Sequence, residues 1–409
     1  MNLLMRLAWR NLWRNRRRTL ITALAAVFAT LLSIAMRGIQ LGTYDSNIAY
    51  ALSTFSGYIQ LQAPGFQENP SLHKTITLDE HLQSVLVHER NIQGFAPRVY
   101  ADGLVSFRNN SLGAALFGIS PKDERRVSTL AGRLNNGRFF TNDTSGDVVV
   151  GYKLLQNLKA GIGDTVVILA QGYDGTLGNR KFVVVGTIKT GSAEFDNMGV
   201  FARLLCLQQL LGMDNRVHVV ALSLGNVSQI DDVIHTLTNS LDTSKIAVLP
   251  WQKVMPEFQQ SIELDNVSGI LFLGILIVVV AFGILNTVLM SVTERFREFG
   301  VLLAVGMPNR KLVTVVFLET LLITVIGVLA GNLLAWGVNY YLVQNPIQFT
   351  GDYAAMMQEY GFLPVLKSSL HLRSFINTTL SIVIISLLST IYPLYRTYHL
   401  QPLKGIRYT

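Results

Sequence analysis

Residue types that could perform catalysis or bind a metal are sparse in this chain of 409 residues. The only cysteine is Cys206, and the densest of the seven histidines are His73, His81 and His88. Their spacing gives a loose stripe on one helix, so we expect surface histidines rather than a metal site. The sequence contains no H-E-x-x-H, no G-x-S-x-G and no G-x-x-x-x-G-K-[ST] motif. We therefore expect no catalytic residue, no bound metal and no ATP held in a phosphate loop of this chain.

Polar residues inside long apolar runs carry a stronger signal. Glu319 lies in the segment 317–322 (FLETLL), where a carboxylate is costly and is a functional candidate by default. Two explanations stay open, namely an ion pair with an arginine near the cytoplasmic end of a span, or a proton relay. Asn286 is a second polar residue within an apolar run.

A compact group of charges separates two of the apolar runs, within the segment 294–307 (ERFREFGVLLAVGM). The charged residues are Glu294, Arg295, Arg297 and Glu298. This start is too polar to be buried in lipid, and Gly300, Gly306 and Pro308 allow the chain to turn back into the membrane. Composition alone is equally compatible with an ordinary cytoplasmic loop.

The elements that position these residues are four expected membrane spans. Runs of 18, 28, 32 and 22 residues without a charge occur at 19–36, 266–293, 320–351 and 374–395. A helix of roughly 20 apolar residues crosses the hydrocarbon core of a bilayer. The first run is not expected to be a cleaved signal peptide, because Arg37 and Gln40 follow where small residues would mark a cleavage site.

Basic residues predict the orientation in the membrane. Residues 1–18 hold six arginines and no acid, residues 293–311 hold four basic residues, and the tail contains Arg396, Lys404 and Arg407. By the positive-inside rule these segments, and so both termini, face the cytoplasm of a bacterial inner membrane. Residues 43–267 hold 18 basic and 21 acidic residues, so the net charge of +8 reflects topology. We expect anionic membrane lipids, and no nucleic acid, as partners of the basic N-terminus.

The segment between the first two spans has more than 200 residues and can bury its own core. The predicted fold class is a membrane protein with four transmembrane α-helices and a large α+β extracytoplasmic (periplasmic) domain between helices 1 and 2. Predicted strands are 57–62, 147–150, 165–170, 181–188 and 217–224, and predicted helices are 78–88, 154–158, 204–211 and 230–241. Helical extensions at 38–51 and 251–261 would form stiff stalks between this domain and the membrane.

The predicted organisation alternates cytoplasmic segments, spans and extracytoplasmic segments. The bounds are 1–18 (basic amphipathic helix), 19–42 (span 1), 43–265 (periplasmic domain), 266–292 (span 2), 293–311 (cytoplasmic coupling helix), 312–343 (span 3), 344–373 (short periplasmic loop), 374–396 (span 4) and 397–409 (tail). Gly327 and Gly331 form a G-x-x-x-G motif in span 3, which permits close helix approach within one subunit or in a dimer.

Three segments resemble the FtsX-like permeases, the four-span membrane subunits of ABC transporters of the MacB, LolC/LolE and FtsX type. The segment 294–307 resembles their coupling segment, 7–19 (LAWRNLWRNRRRT) their amphipathic helix before the first span, and 392–407 (YPLYRTYHLQPLKGIR) their closing signature. The large domain is most similar to the LolC/LolE branch, through 147–155 (DVVVGYKLL), 161–166 (GIGDTV) and 248–258 (VLPWQKVMPEF).

The resemblance implies a transporter subunit without its own nucleotide site. A cytoplasmic ABC ATPase dimer, holding ATP and Mg²⁺, would dock on the coupling helix, and a second permease chain, identical or paralogous, would complete the complex. The implied function is transmission of ATPase motion to the periplasmic domain, which extracts or exports lipoprotein, peptide or other amphiphilic cargo. Two alternatives are a regulator that activates a periplasmic cell-wall hydrolase, and a peptide-sensing or resistance module.

The coupling hypothesis assigns roles to individual residues. Apolar residues of 299–303, including Phe299, Leu302 and Leu303, are expected to pack into a groove of the ATPase. Glu294, Arg295 and Glu298 are expected to orient the helix through charge pairs at the rim. On this hypothesis, charge reversal at Arg295 and Glu298 uncouples ATP hydrolysis from transport without unfolding the chain.

One loop departs from the resemblance. In LolC-type proteins a long hook that contains proline docks a periplasmic carrier, whereas 171–180 (QGYDGTLGNR) is short, rich in glycine and without proline. Its candidate docking residues are Tyr173, Asp174, Leu177 and Arg180. The departure weakens the expectation that a periplasmic carrier or adaptor binds at this hairpin.

Overall fold

The computed structural model describes residues 3–14, 16–140, 146–359 and 362–399. It divides into two compact units. The membrane unit contains residues 1–45, 262–348 and 365–409, and the sheet unit contains residues 46–261 and 349–364. The end of the tail predicted at 397–409, with Lys404 and Arg407, lies outside the described residues.

The helices and strands interleave along the chain. The α-helices are α1 (Leu3–Arg14), α2 (Arg16–Ala51), α3 (Glu80–His88), α4 (Pro121–Val127), α5 (Tyr152–Leu158), α6 (Ala193–Met198), α7 (Leu204–Leu211), α8 (Ile230–Ser240), α9 (Trp251–Val254), α10 (Pro256–Glu294), α11 (Phe296–Ala304), α12 (Asn309–Gln344), α13 (Gly351–Glu359), α14 (Leu372–Ser389) and α15 (Ile391–Tyr398). The strands are β1 (Ile59–Gln62), β2 (Ile76–Thr77), β3 (Ile92–Phe107), β4 (Asn110–Ile119), β5 (Leu134–Gly137), β6 (Asp147–Gly151), β7 (Thr165–Gln171), β8 (Leu177–Ile188), β9 (Gly199–Arg203), β10 (Arg216–Val217), β11 (Val219–Leu224), β12 (Ala247–Pro250), β13 (Ile347–Gln348) and β14 (Val365–Leu366).

Four helical segments of the described chain are long and apolar enough to cross a membrane, as the sequence predicts. They are α2 with a following π-helical turn, then α10, α12 and the pair α14–α15. Two helix boundaries differ from expectation. The fourth segment breaks at Thr390, whose hydroxyl donates to the Leu387 carbonyl, three residues before Pro393. The helix expected from Trp251 into the second span is interrupted at Met255, because a residue before proline disfavours the α conformation.

Close backbone packing joins α12 to α2 within the membrane unit. A Cβ atom built on Gly327 would lie 2.5 Å from Ala26 Cβ, and one built on Gly331 would lie 2.6 Å from Thr30 Cβ. The G-x-x-x-G motif is therefore occupied by a helix of the same chain, which is the first of the two alternatives that the sequence leaves open.

The sheet unit has the predicted α+β character, with a ten-stranded mixed sheet. Its strand order is β12-β1-β11-β3-β4-β9-β6-β8-β5, and β7 pairs with both β3 and β8. The sequence analysis misses its longest hairpin, β3–β4, which pairs Arg98 with Ile119 through to Phe107 with Asn110. Gly94, Pro97 and Gly103 interrupt the apolar alternation of β3 and conceal the strand.

A buried ion pair lies inside the sheet unit. Arg98 is fully buried, and its Nε and Nη2 atoms lie 3.1 and 2.7 Å from the two carboxylate oxygens of Glu124. The Ser128 hydroxyl donates a third hydrogen bond to this carboxylate. On the other side, the guanidinium carbon lies 3.8 Å from the centroid of the Phe55 ring. The pair is thus enclosed by its own partners and an aromatic cluster.

Candidate ATPase-coupling site

The helix α11 connects α10 to α12 and is shorter than the predicted coupling segment 293–311. Glu294 is the last residue of α10, and Arg295 precedes α11 with φ −102° and ψ 7°. At its other end Gly306 has φ +100°, a conformation that favours glycine, and Met307 N–H donates to the Leu302 carbonyl at 3.0 Å. Gly306 therefore makes the predicted turn, and Pro308 stands immediately before α12.

One face of α11 is buried against the neighbouring helices. Phe296, Phe299 and Leu303 pack in one apolar cluster with residues of α10 and α12. Gly300 also lies on the buried face, within the helix, so the expectation that it helps the chain turn back is wrong. Because Phe299 and Leu303 are inside the membrane unit, they are not available to enter a groove on another protein.

The opposite face of α11 exposes apolar side chains. Val305 is 83% exposed, Val301 is 49% exposed and Leu302 is 39% exposed. Arg297 and Glu298 are exposed beside them. A groove of about 590 Å³ separates this face from α1, with Leu7, Leu302 and Met307 among its lining residues. Of the apolar residues of 299–303, which the sequence assigns to partner contact, Val301 and Leu302 are the ones that the structure leaves accessible.

Glu319 of α12 is paired with an arginine, which is one of the two explanations that the sequence leaves open. Arg295 Nη1 lies 3.0 and 2.9 Å from the two carboxylate oxygens of Glu319, and Asn11 of α1 donates to the same carboxylate at 2.5 Å. Both Arg295 and Glu319 are largely buried. A cavity of about 50 Å³ borders the pair, has the hydroxyl residues Thr320 and Ser291 in its lining, and has room for a few water molecules.

The network continues outward from Arg295 to the surface. Arg295 Nε donates to Glu298 at 3.1 Å, and Arg14 of α1 donates to the same carboxylate at 2.5 Å. Burial opposes the ionisation of Glu298, but the hydrogen bonds from Arg14 and Arg295 outweigh it and lower the pKa of this carboxyl. The Arg14–Glu298 pair is about half exposed on both sides.

These contacts correct the roles assigned to Arg295 and Glu298. Arg295 is not at a rim, because its guanidinium binds Glu298 and Glu319 within the membrane unit. Charge reversal at Arg295 would leave Glu319 buried beside a second negative charge, so it tests stability and not only coupling. Sequence reasoning also misses Asn11 and Arg14, since their partners lie 308 and 284 residues away. Their spacing of three residues on one helix face is the only signal that the sequence offers.

Asn286 of α10 stands apart from this network. Its side chain is exposed, and it makes no hydrogen bond to the described residues. Glu294, at the end of α10, is also exposed.

The hairpin β7–β8 is tied to its own unit. Its loop spans 172–176, shorter than predicted, because β8 already begins at Leu177. Tyr173 N–H donates to the Leu211 carbonyl at 2.7 Å, and its ring contacts His73 and the Arg216 guanidinium at 4.7 and 5.0 Å. The loop is therefore held against the body of the sheet unit rather than extended.

The other candidate residues of this hairpin are either bonded to nearby residues or exposed. Asp174 accepts hydrogen bonds from the backbone and hydroxyl of Thr176, which lower the pKa of its carboxyl. Arg180 lies in β8 and donates to Gln209 at 3.2 Å. Leu177 is 68% exposed and is the apolar residue through which this hairpin could contact a partner.

Two family models match the chain. Residues 19–240 match the MacB-like periplasmic core domain, and residues 270–402 match the FtsX-like permease C-terminal region. The first match covers more than half of the chain and contains the sheet unit up to α8. The second contains α11, α12 and the greater part of α10.

Individual proteins match over most of the chain. The lipoprotein-releasing system transmembrane protein LolC of Neisseria meningitidis serogroup B is 25% identical over 398 residues, which cover 93% of this chain and 94% of that protein. The pyoverdine export ATP-binding/permease protein PvdT of Pseudomonas syringae pv. tomato is 25% identical over 88% of this chain and 57% of its own length. The periplasmic region of MacB from Actinobacillus actinomycetemcomitans matches with a TM-score of 0.37 and 16% identity, over 52% of this chain and 94% of that structure.

Proposed function

Because the chain belongs to the FtsX-like permeases that carry a MacB-like periplasmic core domain, and is thus a permease subunit of an ABC transporter, we propose that it transmits force. ATP hydrolysis by a separate cytoplasmic ATPase would move the periplasmic domain, which would lift lipoproteins or other amphiphilic cargo out of the membrane. The ATP and Mg²⁺ belong to the ATPase, and a second permease chain completes the complex. Both termini and α11 face the cytoplasm in this proposal.

The observation that carries the proposal is the two-sided construction of α11. Its inner face packs with α10 and α12 through Phe296, Phe299 and Leu303, so the helix moves together with two spans. Its outer face presents Val301, Leu302 and Val305 to solvent, where an isolated protein gains nothing from exposing them. A helix that is rigidly held and apolar on its free face suits a protein that pushes on it.

The docking surface consists of that apolar face and the groove beside it. Val301, Leu302 and Val305 would be buried against the ATPase, and burial of apolar surface would supply most of the affinity. Arg10 and Arg297, which also line the groove, would set the register through charge pairs. This docking surface no longer includes Phe299, Leu303 and Arg295, because these residues pack or form ion pairs within the membrane unit.

Co-purification tests the docking surface. The chain is expressed together with a candidate ABC ATPase from the same organism, and the ATPase retained after purification in detergent is measured. We expect Val305→Asp to remove most of the bound ATPase, because a charge replaces the most exposed of the three apolar side chains on this surface. The matched control is Val87→Asp, since Val87 is 70% exposed on α3 of the sheet unit. Equal ATPase retention by the two variants would reject α11 as the docking helix.

Cargo extraction is tested with the complete complex in proteoliposomes. The named activities of the relatives are lipoprotein release for LolC and pyoverdine export for PvdT. We expect ATP-dependent release of a membrane-anchored lipoprotein. ATP-dependent activation of a cell-wall hydrolase without any release would favour the regulator instead. Because Tyr173 is held against the sheet unit, we expect release to require no carrier bound at the hairpin β7–β8.

A further inference from the structure

The described part of the membrane unit contains a series of polar contacts that fastens α1 both to α12 and to the candidate coupling helix α11. It runs from Asn11 to Glu319, then to Arg295, then to Glu298 and back to α1 at Arg14. We call these five residues the polar ring. Each carboxylate in the ring accepts hydrogen bonds from one residue of α1 and from Arg295. Each glutamate is therefore bound by two different parts of the chain.

We propose that the polar ring makes α1 a lever in the force path, so that movement of α11 is delivered to the first span through α1. This inference rests on the proposed function, because it assumes that α11 is moved by an ATPase. The polypeptide backbone joins α11 directly to α10 and α12, which precede and follow it. The first span has no such covalent link to α11, and it is reached from α11 only through contacts.

The position of α1 in the sequence supports this role. Its last residue, Arg14, is separated from the start of α2 by a single residue, and Thr19 of α2 donates back to the Leu12 carbonyl at 2.9 Å. Ala8 and Leu12 are buried on the inner face of α1, whereas Asn11 and Arg14 bind the carboxylates of Glu319 and Glu298. A displacement of α1 therefore has a short path into the first span.

The ring has an inner and an outer half with different properties. Arg295 and Glu319 are about 90% buried at their side chains, so breaking this half leaves an uncompensated charge. Arg14 and Glu298 are 53% and 48% exposed, so their pair contributes little to stability. Because the outer half is weak in stability yet spans two elements, substitutions there separate transmission of movement from folding.

The charges within the ring are balanced, and the groove beside it is basic. Two arginines face two carboxylates, and the exposed Arg10 and Arg297 lie in the adjoining groove. Arg14 and Glu298 are positioning residues in this inference, since they touch neither ATP nor cargo. Their effect is predicted to depend on the contact that they make with each other, and not on either charge alone.

A reporter of movement makes the inference testable with the full complex. Ala49, exposed on α2, is changed to cysteine in a Cys206→Ala background, and its alkylation rate is compared with and without ATP. We expect Arg14→Ala and Glu298→Ala each to reduce the ATP-dependent change several-fold. The double variant should be no worse than Glu298→Ala alone, because Arg14 loses its contact with α11 once Glu298 is removed.

Chemical cross-linking provides a rescue that a merely local structural role would not produce. In a chain with Arg14→Cys and Glu298→Cys, a short bismaleimide joins α1 to α11, since both positions are accessible. We expect the uncrosslinked chain to lose the ATP-dependent change at position 49, and the cross-linked chain to regain it. In this experiment a fluorine label replaces the cysteine at position 49, so that no third thiol reacts with the cross-linker.

Two results would overturn the inference. Full ATP-dependent change in both alanine variants would show that the contact carries no movement, and loss of the change after cross-linking would show that α1 must separate from α11. Failure of the proposed function has a different signature, namely no ATPase bound to the unsubstituted chain in the co-purification assay. Because Arg14 and Glu298 line the docking groove, that assay is carried out on the same samples, and the ATP-dependent change is expressed per bound ATPase.

Discussion

The two units each bury an arginine–glutamate pair, and the pairs differ in what surrounds them. In the sheet unit, Arg98 and Glu124 are enclosed by Ser128, the Phe55 ring and Tyr100. In the membrane unit, Arg295 and Glu319 continue through Glu298 to Arg14 at the surface. An enclosed pair can only hold its own unit together. A pair that is linked to the surface can also transmit an external movement.

The largest expected effect comes from breaking the enclosed pair. Glu124→Gln leaves the charge of Arg98 buried without a counter-ion, and removal of one partner from such a pair costs about 3–5 kcal/mol. Hydrogen exchange of peptides from β3 in the full chain measures this loss locally. The double variant Arg98→Met with Glu124→Leu should restore a good part of the stability, because no charge is then buried. Unchanged exchange in Glu124→Gln would contradict the description of the pair as enclosed.

The same substitution in the membrane unit should cost less and so sharpen the contrast. In Glu319→Gln, Arg295 keeps Glu298 as a counter-ion, so we expect about 1–3 kcal/mol, the cost of a lost charged hydrogen bond. Exchange of peptides from α12 and thermal unfolding in detergent measure it. Combining Glu319→Gln with Glu298→Gln should cost much more than either change alone. A loss equal to that of Glu124→Gln would mean that Glu298 does not compensate Arg295.

Backbone packing in the membrane unit gives a third test, with an expected loss of stability similar to that of Glu319→Gln. Gly331→Val places a side chain against Thr30, and overpacking of this kind typically costs about 1–3 kcal/mol. Gly337→Val is the matched control, since a Cβ atom there meets nothing within 4 Å. The difference in melting temperature between the two variants is the measurement. Equal melting temperatures would show that α12 and α2 are not in close contact.

The smallest expected effect is a pH dependence of the sheet unit. Burial lowers the pKa of His218, whose Nδ1 accepts from Tyr100 N–H at 3.0 Å and therefore has no room for a proton. The unfolded histidine titrates near its usual pKa of about 6.5. Below that pH the unfolded chain binds the proton more readily, so the free energy of unfolding falls, by up to about 1.4 kcal/mol per pH unit.

Exchange of β11 peptides between pH 7.5 and 5.5 measures this dependence. His218→Asn should flatten it, because the amide oxygen can accept from Tyr100 N–H without titrating. His81→Asn, at an exposed position, is the matched control and should leave the slope unchanged. A slope that persists in His218→Asn would assign the titration to another group.

The four spans, the α+β class of the inserted domain and the place of the charged connection between α10 and α12 can be predicted from the amino-acid sequence. Long uncharged runs and β-branched runs are local signals, and local signals can be read without a structure. The helix at 204–211 and the strand at 165–171 lie within one residue of their predicted bounds for this reason. The turn at Gly306 is also a local signal, because its positive φ favours glycine.

Which side chains of this connection are exposed depends on how the helices pack in three dimensions. Phe299 and Leu302 are both apolar residues of α11, yet packing against α10 and α12 buries the first and leaves the second accessible. The partners of Asn11 and Arg14 lie about 300 residues away in the chain, where no spacing rule reaches. An ion pair depends on where two elements meet in space, and that meeting is the combined result of all the packing between them.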